Sequence, residues 1–546
     1  MPRKKEEKKG IFNFLNKNVK DFNKIVLSLG CISFLLLMGF ISYKINNSYA
    51  YFTNDVKGSK LIEMTYTKPS LDESGANAPE LTNAMIPVYY DETNNVWKKA
   101  DKSNSKEEYK WYDYDNKIWA NAVTVTETNR STYLSAKAGT EIPMNAINTM
   151  WVWIPRYTYT YLSTNTPEEI NIKFEKGTTS SGTISCKDAI NQTNSDGKTI
   201  SEICTDTTNN GLVAGTSTYT HPAFWWDKND DSIRDKDEEL TGIWVGKFEV
   251  SSDTACAAGT SATVGENCNL TTIRPKIVPN VTSWTGAMVG TFFNGIYKMR
   301  ESGNQYGFST TDETHMMKNM EWGAVAYLYH SKYGRCTNGK CEKIGINNCS
   351  KHITGIGNYA GTSESDDTCT NSENQYNNTR GKLASTTGNV YGIYDMSGGA
   401  EDYVMGNGVN SDGKPISGIS NDSDHENSGF TGYLTGYLTG STLTGSYEFP
   451  SKRYYNQYSY VKGSSSSTAF DRGKLGDATK EMSPSSGADT WYSNYSIFSS
   501  IWFYRGGSST GEGLTGIFSF GNQYGKIESG WAYNGASSRA VISNLK

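Results

Sequence analysis

The longest apolar stretch of the chain runs from Ile25 to Tyr43, IVLSLGCISFLLLMGFISY, and holds no charged residue. As a helix rising about 1.5 Å per residue it would extend roughly 28 Å, close to the roughly 30 Å hydrocarbon core of a bilayer. Arg3, Lys4, Lys5, Lys8, Lys9, Lys17, Lys20 and Lys24 precede it, against Glu6, Glu7 and Asp21. That excess of basic residues places the N-terminus in the cytoplasm and sends the rest of the chain across the membrane. A buried core helix is the blander reading, which length and flanks disfavour. Ser48-Tyr49-Ala50 puts small residues at −3 and −1 of a cut after Ala50. The long basic region favours a retained anchor, and a cleaved, secreted form stays open.

Beyond the apolar run the period shortens. TNDVKGSKLIEMTYTKP, NAMIPVYYDETNNVWKKAD and YKWYDYDNKIWANAVTVTE read as short strands parted by Asn and Asp turns. From about residue 148 the texture changes. MWVWIPRYTYTY and GIWVGKFEVS are dense strand signals, and 175–220 and 335–385 read as loops. SWTGAMVGTFFNGIYKM and THMMKNMEWGAVAYLYHSKYG have helical spacing. In the second, Met316, Met320, Ala324 and Leu328 share one face of the expected helix. FTGYLTGYLTGSTLTG, at 430–445, is too short a repeat for a solenoid and reads as a surface hairpin or insertion. Two helices among many short strands make an α+β protein. The organisation expected is a basic cytoplasmic segment (1–24), a transmembrane helix or signal core (25–43), a β-rich exported region or stalk (44–147) and a larger domain with loop insertions (148–546).

Charge and composition narrow the partners. The formal charge is −5 and the first 24 residues contribute +5, so the exported part carries −10. An acidic surface argues against nucleic acid. With 36 Tyr and 13 Trp the chain is too aromatic for disorder.

Cys31 lies inside the apolar run, and the other eight cysteines fall as close neighbours: Cys186 and Cys204, Cys256 and Cys268, Cys336 and Cys341, Cys349 and Cys369. An even number outside the membrane points to disulfides, with neighbour pairing the simplest of many connectivities. None has zinc spacing with a His pair, so no zinc site is expected. Asp227, Asn229, Asp231, Asp235 and Glu238 occupy positions 1, 3, 5, 9 and 12 of a loop, the spacing with which oxygen ligands wrap calcium. Ser232 stands where that loop needs Gly, and no clear helix flanks it; a solvated acidic insertion is the alternative. The metalloprotease pattern HExxH and the nucleotide-binding P-loop are missing. His221, His315, His330, His352 and His425 have no companion acid or nucleophile at telling spacing.

Six segments in order, over roughly 148–545, resemble the formylglycine-generating enzyme (sulfatase-modifying factor) family. They are MWVWIPRYTY, HPAFWW with ELTGIWVGKFEVS, SWTGAM, MMKNMEWGAVAYL, GNVYGIYDMSGGAEDYV, and WFYRGGSS with SSRAVIS. The resemblance implies a C-type-lectin-like fold for 148–546. The family's oxidases carry a cysteine pair soon after the RGGS strand, where copper and a substrate thiol meet. Here no cysteine follows Cys369, so oxidase activity and copper are not expected. The resemblance also implies a structural calcium at Ser397, Gly398, Ala400 and Asp402, although the acid here is the shorter Asp. Glu321 matches a family acid that anchors its helix.

Where the oxidase cysteines are missing, the chain is rich in Trp491, Tyr492, Tyr495, Trp502, Tyr504, Arg505, Phe518, Phe520, Asn522, Tyr524, Trp531, Tyr533 and Asn534. Such Tyr/Trp/Asn/Ser mixtures make adaptable binding surfaces. The segment is similar to the ligand face of retroelement-diversified bacterial receptors of the same fold; strand residues packing the domain are the alternative. The expected function is recognition of an extracellular protein or glycan at the bacterial surface, without catalysis. A family enzyme with other chemistry and a pilus-like subunit are the rivals.

Overall fold

The computed structural model describes residues 70–160, 169–182, 218–230, 234–253, 268, 272–409, 437–439, 442–444, 450–459, 476–478, 492–493, 502–509, 515–521 and 534–543. The apolar run 25–43 and Ser48–Ala50 lie outside them. Among the described residues no helix is long and apolar enough to cross a membrane. The chain divides into two compact units, Met1–Ser70 and Leu71–Lys546, and the second carries every element below.

That unit is mixed α and β, mostly sheet with few helices. Its largest sheet has seven strands in the order Glu313–Met316, Ala540–Ser543, Gly242–Gly246, Ile147–Pro155, Asn121–Val125, Ile86–Asp91, Val96–Lys99. Every neighbouring pair is antiparallel. Strand Ile147–Pro155 is buried along its whole length, which explains a run of Met, Trp, Val and Ile where a half-exposed strand would alternate.

The expected boundary near 148 does not divide this sheet. Val123 pairs with Met150 and Ala122 with Trp151, so residues 86–125 belong to the same sheet and core as the strands that follow. The described part of the β-rich region therefore supplies three of the sheet's seven strands, which strands far along the chain complete. Asn/Asp turns are alike in both settings, and local pattern does not show which strands are neighbours.

A second sheet has six strands, with Glu401–Val409 central. It pairs antiparallel with Trp502–Gly506 and parallel with Ala536–Ser538 and Asn456–Ser459. Trp502–Gly506 continues antiparallel into Gly516–Gly521. Tyr437–Thr439 and Thr442–Thr444 form a hairpin within the Thr/Gly repeat.

Four helices are described: α1 (Glu127–Ser135), α2 (Val289–Tyr297), α3 (Asn319–Tyr329) and α4 (Asp366–Thr370). The two expected helices are α2 and α3, each shorter than its periodic segment. Met316 falls on strand Glu313–Met316, pairing with Ala540, and so does not share a helix face with Met320, Ala324 and Leu328. Every residue of α3 is buried, so it has no polar face to mark its start. Gly323 on α3 lies under the carbonyl of Gly476, which a Cβ would strike.

Cys336–Cys341 and Cys349–Cys369 are disulfides, as neighbour pairing expects. Cys268 is also disulfide-bonded, whereas Cys186, Cys204 and Cys256 lie outside the described residues. The Cys349–Cys369 bond closes a loop of sequence separation 20. On the chain-entropy account, converting both to Ser should lower unfolding free energy by about 3 kcal/mol. Urea titration of the pair variant checks this.

Candidate functional site

Four segments distant in sequence meet at a buried acidic cluster. Glu249 follows strand Gly242–Gly246, Asp395 and Asp402 flank the turn that opens strand Glu401–Val409, and Arg539 lies between Ala536–Ser538 and Ala540–Ser543. All four side chains are buried, at 0–1% exposure. Arg539 donates to Asp402 Oδ2 (3.0 Å) and to the Gly246 carbonyl (3.0 Å). Asp395 accepts from the Gly355 amide (2.9 Å) and Asn347 Nδ2 (2.9 Å). Glu249 Oε2 accepts from Ser283 Oγ and the Ala400 amide. Among the described residues, Glu249 Oε1 and Asp402 Oδ1 have no hydrogen-bond partner. The backbone of Gly399, at φ 82°, passes so close to Glu249 Oε1 that a Cβ there would collide with it.

Charge decides the protonation. Three carboxylates share the one guanidinium of Arg539. Burial pushes Glu249 far above the usual carboxylate range, and Asp402 and Asp395 push it further. Burial also raises Asp395 and Asp402 to about 6, with Arg539 pulling both back. Glu249 is thus protonated at neutral pH, and Glu401 with it. Glu401 beside them is raised by burial to about 8.

A raised folded-state pKa means the native state binds protons that the unfolded chain has released. The cluster's contribution is therefore fully present below about pH 4, the unfolded range, and is lost as pH rises through 6 to 8. His221 works oppositely: burial lowers it to about 3, so its contribution is present above pH 6.5 and lost as pH falls. Urea midpoints should fall between pH 5 and 8. Glu249→Gln, an amide shaped like the neutral acid, should flatten that slope and match or exceed wild type at pH 8. An unchanged slope in the variant would assign the proton elsewhere.

Ser397, Gly398, Ala400 and Asp402 line the same turn, and two of their oxygens, the Ser397 carbonyl and Asp402 Oδ2, are engaged. The Ser397 carbonyl accepts from the Asn347 amide (2.8 Å), and the Asp402 carboxylate faces Arg539. A guanidinium against the one acid of this set does not suit a divalent cation. In the acidic loop, Glu238 is buried, its two oxygens accepting the Lys228 (2.9 Å) and Asp235 (3.3 Å) amides. Burial, with Asp227 and Asp235 adding repulsion, raises it to about 7. Asp227 is buried, Asn229 exposed, Asp235 half-buried, and Asp231 lies outside the described residues.

The aromatic segment is divided by burial. Trp502, Tyr504, Arg505, Phe518 and Phe520 are all in the core, between 0 and 5% exposed. Arg505 donates to Asn319 Oδ1 (2.8 Å) and the Asp477 (2.9 Å) and Ala478 (3.0 Å) carbonyls, and lies over the rings of Trp322 and Phe520. These five pack the domain rather than present a surface, because neighbouring strands and α3 cover them. Tyr492 is on a short strand, and Asn534 is half-buried at the end of the segment. Trp491, Tyr495, Asn522, Tyr524, Trp531 and Tyr533 lie outside the described residues.

Glu321 anchors α3, accepting the Lys318 amide (2.8 Å) and meeting His315 Nε2 (3.0 Å). His221 links the 221–226 segment to the Gly476 carbonyl (2.9 Å). His425 lies outside the described residues. One buried cation escapes sequence reasoning. Lys247 Nζ donates to the Val390 (2.6 Å) and Gly392 (2.8 Å) carbonyls and lies over the rings of Trp97, Phe248 and Tyr394. Burial holds its pKa far below the usual lysine range. Alternation along KFEV puts Lys247 and Glu249 on one side in sequence, but not the aromatic rings that only the fold gathers.

No protein-family model and no curated protein matches the chain.

Proposed function

We propose that this is an exported, non-catalytic recognition protein built on a C-type-lectin-like domain related to the formylglycine-generating enzymes. The observation that carries the reading is the contrast within the aromatic segment. Its strand residues are core, which makes Trp502–Gly506 and Gly516–Gly521 a rigid base. We assign ligand contact to the Asn, Tyr and Trp residues that the sequence places between these strands and Ala536–Ser538, at 522–533. A segment rich in Tyr, Trp and Asn next to such strands suits binding. The sequence from Ser508 onward has no cysteine, which removes the thiols that copper-dependent oxidation requires. The partner is an extracellular protein or glycan, and the apolar run 25–43 holds the protein to the membrane. Calcium at the 227–238 loop would support the domain without chemistry.

The test uses purified full-length protein on arrays of glycans and surface proteins. Substituting Asn522, Tyr524, Trp531 and Tyr533 together by Ala should lower affinity at least tenfold, about 1.4 kcal/mol. The thermal midpoint should stay unchanged. Binding unaffected by the four substitutions would sink this face as the ligand site. Copper-loaded protein should leave the cysteine of a sulfatase-type peptide unoxidised; turnover would restore the enzyme reading.

A further inference from the structure

His330, Cys336 and Cys341 come together at the end of α3. His330 caps the helix, its amide on the Ala326 carbonyl (3.1 Å), and is 5% exposed. Cys336 and Cys341 stand directly opposite in a short hairpin, Cys336–Thr337 against Lys340–Cys341. Asn338 and Gly339 turn it with positive φ, the chemistry a two-residue hairpin requires. One imidazole nitrogen and the two sulfurs lie within 4.8 Å of one another.

The surroundings fix this arrangement. The Cys336 amide donates to the Ser331 carbonyl (3.1 Å), and the Arg335 amide to the Tyr329 carbonyl (2.7 Å). Lys117 Nζ donates to the Cys336 carbonyl (3.2 Å). The rings of Phe518 and Tyr329 flank His330 at 5.6 and 5.9 Å, giving it an apolar wall. Cys336 is buried and Cys341 only half-buried, so a small reductant can reach the bond from one side.

We propose that reduction of the Cys336–Cys341 disulfide opens a zinc site whose protein ligands are the two thiolates and the His330 imidazole. A dithiol supplies two electrons and two protons: its own sulfurs join as a disulfide, and Cys336 and Cys341 become thiols. Zinc then displaces both thiol protons. Zinc–sulfur bonds near 2.3 Å and zinc–nitrogen bonds near 2.1 Å place tetrahedral ligand atoms roughly 3.5–3.8 Å apart. The cluster needs only the sulfurs to part, since His330 is already within reach. Two thiolates and an imidazole suit a borderline-soft ion better than calcium or magnesium, and three ligands leave a fourth position to water. The cysteines thus have two exclusive states, a crosslink when oxidised and a metal clasp when reduced. This holds whatever ligand the C-terminal segment binds.

The experiment uses the full-length protein, reduced with a dithiol, desalted anaerobically and titrated with cobalt(II), then zinc. The reduced chain should develop thiolate-to-cobalt charge-transfer absorption that one equivalent of zinc abolishes; the oxidised chain should show none. Cys336→Ser with Cys341→Ser should remove the absorption, and His330→Ala should weaken zinc at least tenfold. Zinc should also protect Cys336 and Cys341 of the unaltered chain from alkylation, read by peptide mass spectrometry, which needs no variant to fold. Alkylation indifferent to zinc, or full absorption in the double variant, would overturn the proposal. Wild-type zinc affinity in His330→Ala would do the same.

Discussion

Replacing Arg539 with Met is expected to cost about 3–5 kcal/mol of unfolding free energy at pH 7, the range for breaking one partner out of a buried ion pair. Arg539 is the guanidinium that faces Asp402 and Asp395, and both it and Asp402 are essentially unexposed. Without it, Asp402 and Asp395 must either stay ionised in the interior or take up protons, and both routes are unfavourable at neutral pH. Met fills similar space, so the loss should come from charge rather than from a cavity. Two further measurements separate those causes. The deficit should shrink at pH 5, where the carboxylates protonate more readily, and Asp402→Asn should recover part of it in the double variant. A deficit of equal size at both pH values, with no recovery by Asp402→Asn, would point to packing instead. Urea titration followed by tryptophan fluorescence reads all three variants.

Trp322→Ala should be comparably severe, about 3–5 kcal/mol. Trp322 lies on α3 with no exposed surface, and its indole N–H donates to the Ile517 carbonyl (2.6 Å). Arg505 sits over the ring at 5.7 Å. Truncation would remove a large buried side chain, leave the Ile517 carbonyl without its donor and take away the surface on which Arg505 rests. The damage reaches strand Gly516–Gly521 through Ile517. Trp322→Phe keeps most of the ring volume and loses the N–H. It should therefore cost about 1–3 kcal/mol, the penalty for a buried acceptor left unpaired. If Trp322→Phe were as harmful as Trp322→Ala, the hydrogen bond and not the packing would hold the strand in place.

These two residues show what the sequence makes legible. Trp322 stands in a segment whose helical spacing is readable, and α3 lies within it. Arg539 and Asp402 stand in segments singled out by resemblance, yet nothing in their spacing reveals that they pair across 137 positions. The acidic cluster is a product of chain return: Glu401 and Asp402 pair with Ala536 and Ser537, which brings Arg539 over them. His330 illustrates the same limit. As a lone histidine six positions before a cysteine it carries no metal signal, and only the cap of α3 and the Asn338–Gly339 turn bring all three ligand atoms together.

By itself the sequence determined the mixed α and β class, the positions of α2 and α3 and the lack of any cysteine after Cys369, and it offered neighbour pairing of Cys336 with Cys341 and Cys349 with Cys369 as the simplest connectivity. Each is local, set by side-chain period, turn chemistry or short chain separation. The tertiary structure alone decided that residues 86–125 complete the sheet of Ile147–Pro155, and that Trp502, Tyr504, Arg505, Phe518 and Phe520 are core. It alone gathered three carboxylates around one arginine. Burial and pairing depend on which distant strands become neighbours, and an aromatic or acidic residue looks the same in sequence whether its partner is water or the far end of the chain.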